Sequence, residues 1–224
     1  MNLFMKPVDG SGQEERLTNS ECPQFPQSWS AHSKVLAFTD WCQPGNLDIW
    51  MLPLEGDRSP QPYLQTRFSE SHPTFSPDGR WLAYVSDESG RNEVYVRPYP
   101  GPGGTTQIST QGGTEPLWAS HGRELFYRVY RNFYNSLCDY GSENGVMAVS
   151  FLTEPTLRVG KPRLLFEGQY AAPSLWRGRL YDLTPDGRRF LMLKQSDPPP
   201  APTQFNVVLN WFDELERLVP SGKK

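Results

Sequence analysis

The side chains best suited to chemistry in this chain are three histidines, His32, His72 and His121, and three cysteines, Cys22, Cys42 and Cys138. Histidine serves acid–base and metal chemistry because its pKa lies near neutrality and its ring nitrogens ligate cations. His32 and His121 sit in Ala31-His32-Ser33 and Ser120-His121-Gly122, at the place Asp78 takes in Pro77-Asp78-Gly79. Tips of separate turns do not converge on one ion, so both are read as solvated turn residues. His72 stands on a strand ahead of such a turn, where it faces either a ligand or a solvated wall. The cysteine spacing matches no zinc pattern, and an odd number cannot all pair internally. Buried free thiols are therefore expected, because free cysteine packs as a small apolar side chain.

Other chemical motifs are missing. Asp78-Gly79 and Asp186-Gly187 lack the oxygen-rich spacing of a calcium loop and read as turns. The sequence holds no Gly-x-Ser-x-Gly elbow and no Gly-rich phosphate loop ending in Lys-Ser/Thr. No catalytic residue, metal or cofactor is expected, and the chain is read as a binding protein, not an enzyme.

The elements that position His72 are legible around it. Phe75-Ser76-Pro77-Asp78-Gly79 ends a strand in a tight turn: proline presets φ, Asp bonds its own backbone, and glycine accepts a positive φ. From Trp81 to Ser86 the chain alternates, with Trp81, Ala83 and Val85 on one face and Leu82 and Tyr84 on the other. Both faces are apolar, which predicts a buried strand. A polar hairpin loop, Asp87 to Asn92, then leads to the strand Glu93 to Pro98.

The unit recurs. The residues just before each turn are Trp29, Phe75, Trp118 and Leu183, spaced by 46, 43 and 65 residues. A period of about 40 to 50 residues with four strands per unit predicts a β-propeller, an all-β fold of four-stranded antiparallel blades. Trp29, Phe75 and Trp118 are then expected to pack between blades. The expected organisation is a half blade at 1–18 and blades at 19–64, 65–109, 110–166 and 167–218, with a tail at 219–224. The strand Phe205 to Trp211 and one or two helical turns from Phe212 to Leu218 close the last unit. About four and a half blades predict a fragment of a longer propeller that self-associates through open strand edges. The 22 prolines and 19 glycines fit many short turns.

Within this plan two surfaces are candidate sites. The first strands line a central channel, placing Glu70, Ser71, His72, Thr114 and Glu115 at its mouth for a ligand. A long loop from Val129 to Asn144 carries Tyr130, Phe133, Tyr134 and Tyr140 for contact with a partner. A net charge of −3 without a basic cluster argues against nucleic acid. No apolar run approaches the ~20 residues of a membrane span.

The segment Phe75 to Tyr84, with Pro73 ahead of it, resembles the repeat of TolB-like propellers, relatives of the WD-repeat class. The turns at 31–33 and 120–122 depart from its Pro-Asp-Gly. The ending Asn206 to Arg217 also resembles the terminus of propellers linked to Ser/Thr kinase domains in bacterial sensor proteins. The resemblance implies six or more blades, an extracytoplasmic or periplasmic location, and a role in recognising a protein, peptide or small ligand. Two alternatives remain open: a propeller accessory to a peptidase or hydrolase, and a structural module completed by another chain.

Overall fold

The structure, a computed structural model, describes residues 1–30, 32–130, 144–152, 157–171 and 178–194. All of them fall in one unit, Met1–Lys194. Among them every regular element is a strand. Strands β1 (Phe4–Met5) and β2 (Glu15–Arg16) form a short antiparallel pair. A meander follows from β3 (Gln24–Ser30), β4 (Val35–Gln43), β5 (Asn46–Pro53) and β6 (Gln61–Leu64). The second comprises β7 (Glu70–Phe75), β8 (Trp81–Ser86), β9 (Glu93–Pro98) and β10 (Thr106–Gln107). The third holds β11 (Thr114–Trp118), β12 (Glu124–Tyr130) and β13 (Asn144–Leu152), with β14 (Arg158–Val159) and β15 (Arg163–Gly168) both pairing with β13. Finally β16 (Tyr181–Leu183) pairs with β17 (Phe190–Met192).

The turns repeat one set of bonds. In the second meander Gly79 N donates to Ser76 O at 2.8 Å, and Arg80 N donates to Asp78 Oδ1 at 3.1 Å. Gly187 N to Thr184 O and Arg188 N to Asp186 Oδ1 copy that pattern. In the third meander Gly122 N donates to Ala119 O, and His121 Nδ1 accepts from Arg123 N at 3.1 Å. Imidazole thus replaces carboxylate as the acceptor. Glycine at the third position carries φ near 70° in all three turns, which a side chain would resist.

The central strand β8 is buried on both faces. Ala83 and Val85 pack with Val94, Val96, Trp118 and Leu125, toward the third meander. Leu82 and Tyr84 pack with Val35, Ala37, Ile49 and Phe75, toward the first. Each sheet completes its core only against its neighbours, and each such aliphatic side chain contributes about 1.5–3 kcal/mol through burial.

Three expectations change. Phe75 and Trp118 are buried between sheets, but Trp29, at the equivalent place, is 53% exposed. The neighbouring β1–β2 pair has only two strands: Leu3 packs against Phe38, Leu52 and Leu54, and Trp29 stays uncovered. Cys22 and Cys42 are not free buried thiols but a disulfide, with Cα atoms 4.9 Å apart. The β3–β4 register pairs Gln24 with Asp40 and Phe25 with Thr39, so continuing it sets residue 22 opposite residue 42. In the chain-entropy picture, closing this loop is worth about 3 kcal/mol. Cys138 lies outside the described residues. Finally, Val129, Tyr130 and Asn144 are ladder residues, Val129 facing Gly145 and Tyr130 facing Asn144. Phe133, Tyr134 and Tyr140, the Phe205–Trp211 strand and the turns after it lie outside the described residues.

Candidate functional site

The first strands of the three meanders, β3, β7 and β11, lie side by side. Phe75 N donates to Ser28 Oγ at 3.1 Å, and Trp118 Nε1 donates to Thr74 O at 3.2 Å. Each strand is broken by a bulge: the registers shift between Pro26 and Ser28, Ser71 and Thr74, and Thr114 and Leu117. A bulge bends the strand and re-aims the side chains at it. At two bulges the residue before a proline adopts a left-handed backbone, His72 with φ 52° and Glu115 with φ 53°. That conformation costs an L-residue roughly 1–2 kcal/mol.

Glu115 uses its bulge to enter the interior, where it is fully buried. Its Oε2 accepts from the Tyr130 hydroxyl at 2.8 Å and from Arg128 Nη1 at 3.3 Å. Arg128 also donates to Asn144 Oδ1 and Ala171 O, and its guanidinium lies 4.8 Å from the centre of the Tyr130 ring. The Tyr181 hydroxyl donates to Glu115 O at 2.8 Å. Burial, reinforced by the Glu115 charge, pushes the pKa values of Tyr130 and Tyr181 up, so both act as neutral donors. The network joins β11 and β12 to Ala171 and Tyr181. Tyr130, expected in a partner-binding loop, belongs to this network.

Glu70 is also buried. The Thr66 hydroxyl donates to its Oε1, while its Oε2 has no hydrogen-bond partner among the described residues. Burial raises its pKa, the Asp48 charge adds to the rise, and the Thr66 bond opposes it. Thr114 is buried as well. Of the five residues expected at the channel mouth, only Ser71 and His72 are partly open to solvent; their Oγ and Nδ1 atoms lie 3.0 Å apart. The carboxylates of Glu70 and Glu115 and the Thr114 side chain are inside the fold.

Between the bulges lies a cavity of about 150 Å³, lined by Gln27, His72, Pro73, Glu115, Pro116 and Arg179. A bay of about 320 Å³ continues from it, sharing Gln27, Thr74 and Arg179 and lined further by Trp29, Phe75 and Trp118. Arg179 is held by Nε donating to Tyr181 O at 3.1 Å, and it lies 3.8 Å from Asp182. Sequence reading missed Gln27 and Arg179. Gln27 sits two residues before Trp29, level with Pro73 and Pro116, so the repeat alignment could have found it. Arg179 lies ahead of β16, four residues before Leu183 and so level with Ser71 and Thr114, and the repeat alignment could have found it too. A wider depression of about 550 Å³ runs between the turn tips that carry Asp78 and His121. Both side chains already bond their own turns there.

No family model matches the sequence. A stretch of 117 residues, 51% of this chain, is 28% identical to tricorn protease homolog 1 of Streptomyces coelicolor and spans 10% of that protein. Among solved structures, a TolB protein from Agrobacterium tumefaciens superposes with a TM-score of 0.67 at 16% identity, covering 86% of this chain and 64% of that one. TolB from Acinetobacter baumannii gives 0.56 at 17% identity, with 82% and 40% covered. A puromycin-hydrolyzing peptidase of Mycobacterium tuberculosis gives 0.51 at 18% identity, with 77% and 29% covered. The chain thus spans less than two thirds of each of these proteins. The resemblance to kinase-linked propellers rests on residues 206–217, outside the described residues. The fold is a TolB-like β-propeller, built from antiparallel blades that pack face to face.

Proposed function

We propose that this chain is a recognition module that binds a protein, peptide or small ligand at the channel side of its first strands. The observation that carries the reading is the cavity between three bulged strands, where His72 forms part of the wall and Gln27 and Arg179 bring polar groups beside an aromatic bay. Binding sites typically combine apolar walls with a few placed polar groups, and backbone strain concentrates where side chains are aimed at a function. The Cys22–Cys42 disulfide fits an oxidising compartment. Panning a displayed peptide library on the 224-residue chain tests the reading. We expect an enriched consensus whose binding is lost in His72→Ala and kept in Lys34→Ala. Binders indifferent to His72, or no enrichment, would overturn it.

A second reading, a propeller accessory to a peptidase, is favoured by the similarity to the tricorn protease homolog. It requires a hydrolase domain in the same polypeptide or operon, which sequencing of the surrounding gene tests.

A further inference from the structure

We propose that Cys22, Asp40 and Cys42 form a redox-gated zinc site, closed while the two sulfurs are bonded to each other and opened when a dithiol reduces them. The inference is independent of the channel-side reading. The Cys22 and Cys42 sulfurs and an Asp40 carboxylate oxygen all lie within 4.8 Å of one another. Asp40 and Cys42 are two residues apart on β4, the spacing that puts side chains on one face, and the disulfide brings Cys22 to them from the chain opposite. Zinc takes thiolate sulfur at about 2.3 Å and carboxylate oxygen at about 2.0–2.2 Å, and three protein ligands leave the fourth corner of its tetrahedron to solvent. Thiolates favour zinc over calcium and magnesium, which prefer oxygen. Cysteine spacing along the chain does not show this set, because the strand pairing assembles it.

Opening the sulfur–sulfur bond does not scatter the ligands. Trp41 N donates to Pro23 O at 3.0 Å and Gln24 pairs with Asp40, so the two segments are bonded beside the cysteines without help from the sulfurs. Cys22 N also donates to Ser20 Oγ at 3.0 Å. Asp40 is buried, its Oδ2 accepts from Gln24 Nε2 at 2.9 Å, and Gln24 Oε1 accepts in turn from the Thr18 hydroxyl. Outer hydrogen bonds of this kind orient metal ligands. Cys42 is exposed and Cys22 half-buried, so exchange begins at Cys42. A thiolate of the dithiol bonds to Cys42 Sγ, the Cys22–Cys42 bond breaks, and Cys22 leaves as a thiolate; the second thiolate of the reductant then displaces Cys42. Two electrons pass to the protein and the reductant ends as a disulfide. The two protons of its thiols go to Cys22 and Cys42, which release them when zinc binds.

The experiment uses the 224-residue chain carrying Cys138→Ser, so that no other thiol contributes. The chain is reduced with a phosphine and titrated with zinc against a chromophoric chelator, and with cobalt to read the thiolate charge-transfer band. The reduced chain should take one equivalent of zinc, and the oxidised chain should not compete with the chelator. Gln24→Ala keeps all three ligands and should weaken zinc binding about ten- to a hundred-fold, and Asp40→Asn should weaken it at least as much. Unchanged affinity in both variants would show the thiols binding as any free dithiol does, and would overturn the proposal. Equal binding by reduced and oxidised chains would put the metal elsewhere and overturn it too. Thermal melts follow the fold: zinc should raise the melting temperature of the reduced chain, because a metal that binds only the folded state stabilises it. A reduced chain that unfolds and that zinc does not refold would likewise overturn the proposal.

Discussion

His72-Pro73 and Glu115-Pro116 are the same device in successive blades. Each is a left-handed residue before a proline in a bulge of the first strand. The outcomes differ. Glu115 meets Arg128 from the adjacent strand and disappears into an ion pair that joins three segments. The residue paired with Ser71 in the His72 blade is Val85, whereas Arg128 pairs with Thr114. The His72 bulge has a valine on the neighbouring strand in place of a cation, and the imidazole lines the cavity. One backbone feature thus serves cohesion in one blade and a candidate site in the next. The side chain one strand away differs between them, valine in one and arginine in the other.

The largest effect should come from breaking the buried pair. Arg128→Met leaves the buried Glu115 without its cation, and should cost about 3–5 kcal/mol in denaturant unfolding. His72→Ala should cost under about 1 kcal/mol, as partly exposed positions usually do. Similar losses at both sites would break the comparison. Next, Glu115→Gln keeps the shape and an acceptor but removes the charge, and should cost about 1.5–3 kcal/mol. A neutral result would mean that the ion pair itself adds nothing.

The left-handed backbone can be tested separately at His72. His72→Val should be less stable than His72→Gly by about 1–2 kcal/mol, because a β-branched residue resists positive φ and glycine does not. Equal stability would remove the strain from the argument.

The smallest effect concerns Glu70, two residues ahead of His72, which among the described residues has no arginine to match Arg128. Its pKa is raised above the ordinary 4.5, chiefly by burial, so folding favours its protonated form. Below the ordinary value the carboxyl is neutral in folded and unfolded chains, and this contribution to stability is fully present. It is lost as pH rises through the raised value. Glu70→Gln should therefore match the parent in acid and gain on it toward neutral pH, read from urea unfolding at each pH. A constant offset would show that Glu70 finds a partner for its charge.

Much of the strand and turn pattern was legible because turn chemistry and strand alternation are local. Pro77-Asp78-Gly79 forms the turn its residues demand, and the two apolar faces of Trp81 to Ser86 meet two different neighbours. His121 was legible as a turn residue for the same reason, although its ring acting as the acceptor was not. The candidate site was much less so. Glu70, Thr114 and Glu115 were placed on the right strands, but strand membership does not say which way a bulge turns a side chain. Arg179 joins the cavity from far along the chain, and only the repeat alignment, not the residues around it, points to it.

The sequence by itself determined the strands, their turns and their repetition, since these depend on residue types within a few positions of one another. Tertiary structure decided the rest. It paired Cys22 with Cys42 through the β3–β4 register, covered Trp118 and left Trp29 exposed, and sent Glu115 inward while His72 stayed at the cavity. Each of those outcomes depends on what a neighbouring sheet places opposite the residue, and that is set by packing between segments distant in the chain.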